Sequence, residues 1–144
     1  MASKASAKPI VRHANAEDVY IILDLIRALA LYELAPDSVL ATEDSLRNSL
    51  SFPPFPSPGY ARTLLIFTPE PESKPAGMAL YFHNYSTWRA KAGIYLEDLF
   101  VRPEYRGRGY GGRLLAELAR EVVDIDGGRL DWSVLTWNEP SIKF

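Results

Sequence analysis

The sequence contains no cysteine, which removes disulfides, thiolate metal sites and a cysteine nucleophile together. It has only two histidines, His13 and His83, too few for a histidine-rich metal site. Long apolar runs are missing as well. The oiliest stretch, VYIILDLIRALALY (19–32), carries Asp24 and Arg27 and is too short to span a bilayer. The opening MASKASAKP lacks the apolar core of a signal peptide. Nor does one sign of charge dominate: the net charge of −2 argues against a nucleic-acid surface spread over the domain. These absences point to a cytoplasmic protein with no metal, no membrane and no nucleic acid among its partners.

What is present is ordinary globular material. The 144 residues are 47% hydrophobic and 24% charged, enough for one domain with a real core. Residues 1–8 read as a flexible leader and 9–144 as a single domain. PIVRHA (9–14) alternates like a strand. Asn15, with Asp18 three residues on, marks a helix start, and the helix runs to about Glu33 with Val19, Ile22, Ile26, Leu29 and Ala30 as its inward stripe. Thr42 before Glu43 and Asp44 opens a shorter helix. SFPPFPSPG (51–59) is a proline-stiffened loop, and YARTLLIF (60–67), AGMALYFHNY (76–85) and AGIYLEDLFV (92–101) favour strands. Leu114, Leu115, Leu118, Ala119, Val122 and Val123 then repeat at helical spacing, with Gly127 and Gly128 closing that helix. RLDWSVLTW (129–137) is a fifth strand, and Asn138 with Pro140 starts another helix.

The most informative stretch is FVRPEYRGRGYGGRLLAELAREVV (100–123), where a strand, a glycine-rich loop and a helix follow in order. Glycines leave backbone N–H groups uncovered and permit the positive φ angles that curl them into an anion cradle. The helix that follows adds its unsatisfied amides and positive dipole end. Arg106, Arg108 and Arg113 supply counter-charge if they turn that way. Gly107, Gly109 and Gly112 match the dinucleotide fingerprint G-x-G-x-x-G, and Asp131 falls near the expected ribose-binding acid. The context does not fit, because the segment RPEYR separates the strand from the loop and this is not the first strand of the domain. No P-loop motif is present. A plain surface turn remains the bland alternative for an isolated GRGYGG.

Arg106-x-x-Gly109-x-Gly111 resembles the [RQ]-x-x-G-x-[GA] loop of the GNAT superfamily of N-acetyltransferases. YLEDLFVRPEYRGRGYG, LTWNEPSIKF and LIRALALYEL resemble its spermidine/spermine (diamine) acetyltransferase branch, which includes acetyltransferases of thialysine and other small amines. The resemblance covers about Pro9 to Phe144. It implies an α/β (α+β) fold: a mixed, mostly antiparallel central sheet flanked by helices. It implies acetyl-CoA as co-substrate, a polyamine or diamine-like acceptor, and a homodimer. Leu99, Phe100 and Val101 then lie where backbone groups pair with the pantetheine arm. Arg106, Gly107, Arg108, Gly109, Tyr110, Gly111 and Gly112 fall at the pyrophosphate, and Asn138 and Ser141 at a further cofactor contact. Tyr32, Glu33 and Glu97 match positions that meet the amine. Tyr105, Trp132 and Trp137 read as core or rim aromatics, and His83 as a strand residue without a catalytic task.

Elementary chemistry supports the acidic group independently. An alkylamine with a pKa near 10.4 arrives protonated at neutral pH and must be held as a cation, then stripped of a proton, before it attacks a thioester. Strand alternation sends Glu97 and Asp98 to opposite faces, so only one meets the reacting centre. Family position favours Glu97, as base or as the residue ordering a water that acts as base. The branch carries a general-acid tyrosine directly after NEPSIKF, a position this sequence does not contain. The expectation is therefore a chain truncated relative to the branch, with its last helix and closing strands incomplete. A thiolate of pKa about 8.5 leaves tolerably unaided, so activity would be slowed and not forbidden. Acetylation of a protein or of a thialysine-type amino acid, and a non-catalytic CoA-binding or dimer-partner subunit, stay open as alternatives.

Overall fold

A computed structural model describes residues 7–133 of the chain. Its strands are β1 (Ile10–His13), β2 (Arg62–Phe67), β3 (Pro75–Ser86), β4 (Lys91–Val101) and β5 (Leu130–Trp132). Its helices are α1 (Val19–Tyr32), α2 (Glu43–Ser49) and α3 (Tyr110–Asp124). The five strands form one sheet in the order β1-β2-β3-β4-β5. The first four pair antiparallel and β5 lies parallel to β4. This is the mixed, mostly antiparallel sheet expected from the sequence.

Both faces of the sheet are covered, which explains why β2 reads RTLLIF and not as a clean apolar–polar alternation. Leu65 and Phe67 enter the core under α1 and α2, together with Met78, Leu80 and Phe100. Leu64 and Ile66 enter the core under α3, with Tyr81, Ile94, Leu96, Leu114 and Leu118. Leu118 is fully buried, so truncating it to alanine would cost about 2–5 kcal/mol.

The sequence pattern understates the buried face of α1. Ile21, Leu23 and Leu25 are buried as well as Val19 and Ile22, because α1 packs against β3 on one side and α2 and the Pro36–Ser38 turn on another. Ile26 and Leu29 pack on this core only partly buried, and Ala30 contributes less than its place in the stripe suggests. On α3 the stripe is narrower than its apolar spelling, since Val123 is exposed. The close of α3 also differs from expectation. Asp126 (φ 52), not glycine, takes the left-handed position. Its amide bonds Val123 O at 3.1 Å and that of Gly127 bonds Val122 O at 2.7 Å, the paired bonds of a Schellman motif. Gly127 is there for closeness: a Cβ on it would sit 3.1 Å from Ala92 O and from Val122.

Away from the end of β4, both histidines converge on one carboxylate. The hydroxyl of buried Tyr81 donates to Glu121 Oε1 at 2.7 Å, and His83 Nε2 lies 2.9 Å from Glu121 Oε2. His13 Nε2 lies 2.9 Å from the same Tyr81 hydroxyl. Phe55, from the proline loop, meets the His13 ring edge-on at 5.0 Å and stacks under the Arg62 guanidinium at 3.7 Å. His83 is thus a partner of α3 through Glu121. Burial lowers the His13 pKa below the ordinary imidazole value, and the opposing pull of Glu121 does not restore it. A histidine held low contributes stability that is complete above its unfolded pKa, near 6.5, and is lost as pH falls toward the lowered folded value. The stability of the wild type relative to a His13→Gln variant should therefore decline between pH 7.5 and 5.5 in urea unfolding. A difference independent of pH would remove His13 from the account.

Candidate active site

The site begins with an irregularity in β4. Tyr81 of β3 pairs with Leu96, and the preceding Leu80 pairs with Asp98, so Glu97 is an extra residue with no partner across the ladder. Such a bulge shifts side-chain parity along the strand. Leu96 and Leu99, three residues apart, both pack in the α3 core, whereas a regular strand would send them to opposite faces. Asp98 pairs with Leu80 and shares its side with Phe100, on the α1 face of the sheet. The expectation that Glu97 and Asp98 are parted by strand alternation is thereby corrected: both line a single cleft of about 670 Å3.

That cleft lies where the C-terminal end of β4 meets the end of α1 and the start of α3. Glu33, the residue that caps the end of α1, also lines it. Burial pushes the Asp98 carboxyl up to about 6, and the charges of Glu97 and Glu33 act in the same direction. A carboxyl raised in this way, chiefly by burial, has the perturbed character that marks a candidate proton acceptor. Tyr32 and Tyr105 complete this wall, and Tyr95, Trp132 and Ser133 form the β5 side, where the Tyr95 and Ser133 hydroxyls lie 2.6 Å apart.

β5 pairs with β4 only from Ile94 to Leu96. From Glu97 onward the edge of β4 that faces the cleft has no β5 partner among the described residues. Leu99, Phe100 and Val101 lie along this edge and line the cleft, where an extended ligand can add main-chain hydrogen bonds.

At the far end stands the glycine loop. Gly107 and Gly109 take positive φ angles of 79° and 80°, and Gly109 caps α3. A Cβ built on Gly107, Gly109 or Gly112 meets nothing within 4 Å. The first two glycines are therefore needed for backbone conformation, and the space above the loop is open. The first-turn amides of α3, at Tyr110, Gly111 and Gly112, have no intrahelical acceptor. Tyr110 offers only its main chain, because its ring is buried in the α3 core. The arginines turn elsewhere than expected. Arg106 Nε donates to Val101 O at 2.9 Å, with the guanidinium 4.6 Å from the centre of the Tyr32 ring. Arg108 lies over Tyr105, and Arg113 pairs with Glu117 at 3.7 Å. A diphosphate fits this cradle through amides and a helix N-terminus. Gly109→Ala should lower stability by roughly 1 kcal/mol through its left-handed backbone alone. Chemical denaturation checks this, and a loss several times larger would mean a clash that the open space does not predict.

The structure thus brings Tyr32, Glu33, Glu97, Leu99, Phe100, Val101, Arg106 and glycines 107, 109, 111 and 112 around one cleft. Asn138, Ser141 and Trp137 lie outside the described residues. Sequence reasoning missed Asp98, Tyr95 and Ser133 as cleft residues. The signal for Asp98 was its adjacency to a chosen acid, but alternation argued against it and no glycine marks the bulge.

The model of the Acetyltransferase (GNAT) family matches residues 41–144. A thialysine N-epsilon-acetyltransferase of Bos taurus is 38% identical over 132 residues, covering 90% of this chain and 76% of its own length. The spermidine/spermine N(1)-acetyltransferase-like protein 1 of Homo sapiens is 31% identical over 140 residues, covering 93% of this chain and 19% of that longer protein. Among solved structures, an aminoglycoside acetyltransferase from an uncultured soil metagenomic sample superposes with a TM-score of 0.78 at 13% identity, over 94% of this chain and 84% of its own, a likeness of fold. Sheet, glycine cradle and sequence agree, and the chain belongs to the GNAT acetyltransferase family as an N-acetyltransferase.

Proposed function

We propose that the chain transfers the acetyl group of acetyl-CoA to a primary amine of a small polycationic acceptor, a polyamine or diamine. Acetyltransferases of this family use acetyl-CoA. The positive-φ glycines at 107 and 109, with open space above them, fit its diphosphate. The β4 edge at Leu99–Val101, which has no β5 partner among the described residues, fits its extended arm, and the bound cofactor would supply the thioester. The observation that carries the acceptor assignment is the convergence of Glu33, Glu97 and Asp98 on one wall of the cleft. Three carboxylates favour a ligand bearing more than one positive charge.

In this reading Glu97, the more exposed acid on the bulge, receives the ammonium or orders a water beside it. Asp98, held near pH 6 by burial and by its two acidic neighbours, accepts the proton released as the amine becomes a nucleophile. Glu33 and Tyr32 hold the distal end of the acceptor. A second reading, acetylation of a thialysine-type amino acid, is favoured by the 38% identity to the bovine enzyme. A protein acceptor gains less from three clustered carboxylates, and a CoA-binding subunit without turnover is the outcome if no amine reacts. Homodimerisation rests on the resemblance alone.

Incubation with acetyl-CoA and spermidine, spermine, thialysine or a histone-tail peptide, followed by detection of free CoA, separates these readings. Turnover is expected with the polyamines. The acceptor kcat/KM should fall as pH drops through about 6, where Asp98 takes up its proton. Asp98→Asn should lose that limb and about 10²–10⁴ in rate. CoA binding without turnover on any acceptor would leave only the subunit reading.

A further inference from the structure

The Arg106 side chain leaves the loop that bears it. Its Nε donates to Val101 O at 2.9 Å, and its guanidinium sits 4.6 Å from the Tyr32 ring centre and 5.6 Å from that of Phe100. Tyr32 and Phe100 in turn lie 6.5 Å apart, centre to centre. One cation from the cofactor loop therefore touches the β4 edge and an aromatic of the acceptor wall together. Both are groups that the substrates of the proposed reaction need. Val101 O belongs to the edge available to an extended arm, and the Tyr32 ring is next in sequence to Glu33. A ring already under a guanidinium is a poor platform for an ammonium, since like charges repel and compete for the same face.

We propose that Arg106 is a positioning residue that couples the two half-sites, making affinity for the cationic acceptor depend on coenzyme A. This inference rests on the proposed function. A diphosphate is a stronger partner for a guanidinium than a neutral carbonyl, because both members of the contact are charged and the fork binds two oxygens at once. The peptide edge at Val101 is also contested by an extended ligand. Coenzyme A thus favours an Arg106 turned back toward its own loop, and the Tyr32 face is cleared for the amine. By linkage the amine must raise the affinity for coenzyme A by the same factor. The feature is specific to a long, forked cation at 106, because a neutral side chain there would place no positive charge over the Tyr32 ring.

Calorimetric titration of spermidine and of thialysine, each with and without saturating coenzyme A, tests this by binding alone. Wild type should bind the amine about tenfold more tightly with coenzyme A present. Arg106→Gln should bind the amine about tenfold more tightly than wild type without coenzyme A, and coenzyme A should then add less than about twofold. Adding Tyr32→Leu to Arg106→Gln should abolish the gain. Arg106 is exposed, so folding is not at stake. If Arg106→Gln also loses coenzyme A binding, its amine affinity alone still decides: unchanged or weaker affinity overturns the coupling. Wild-type protein that binds coenzyme A but neither amine overturns it too. Absence of coenzyme A binding by wild type would instead sink the proposed function itself.

Discussion

The single extra residue in β4 sets the geometry of the acidic wall of the candidate site. With regular alternation Asp98 would share a face with Leu96 and be driven into the α3 core, where an unpaired carboxylate is expensive. Inserting Glu97 moves Asp98 to the other face and returns Leu99 and Val101 to the core. Two acids then stand side by side just past the last pairing of β5 with β4 among the described residues. The same irregularity concentrates negative charge beside that edge. The raised pKa of Asp98 follows, since it combines partial burial with the fields of Glu97 and Glu33.

Two separate cores aim the remaining parts at this point. The core under α1 and α2 fixes the end of α1, and with it Tyr32 and Glu33. The core under α3, through Leu114, Leu118 and the Glu121 cluster, fixes the helix whose first turn is the glycine cradle. The two halves are braced by an ion pair between Arg102, just past β4, and Asp24 of α1. The cleft is consequently polarised. Its acidic wall suits a cationic amine, and its amide-lined end suits an anionic diphosphate. In the proposed reaction that division of charge seats two oppositely charged substrates next to each other without mixing their subsites.

Much of this was legible in the chain. The strand–glycine loop–helix order over 100–123 is local, and its backbone demands follow from residue type. Gly107 and Gly109 duly adopt the left-handed angles that glycine permits. The two-faced burial of β2 and β3 is likewise written in their continuous apolar runs. Less legible were features in which one residue type can serve two structural ends. Asp126 fills the left-handed place that Gly127 seemed made for, because Gly127 is required for close approach to Ala92 and Val122. The α1 stripe read too narrow, since its second packing surface comes from α2 and a turn that periodicity cannot report.

The sequence by itself determined the family, the order of elements, the backbone chemistry of the phosphate-type cradle and the presence of acids near the end of β4. These depend on short-range rules: propensity, periodicity and the freedom of glycine. Only the tertiary structure decided which face Asp98 occupies, that Glu33 reaches it from α1, and that Arg106 turns from its loop to Val101 and Tyr32. A bulge is chosen by the pairing of two strands, and a long arginine by competition among distant partners. Neither choice is encoded in the residues that make it, because the deciding energies come from groups far away along the chain.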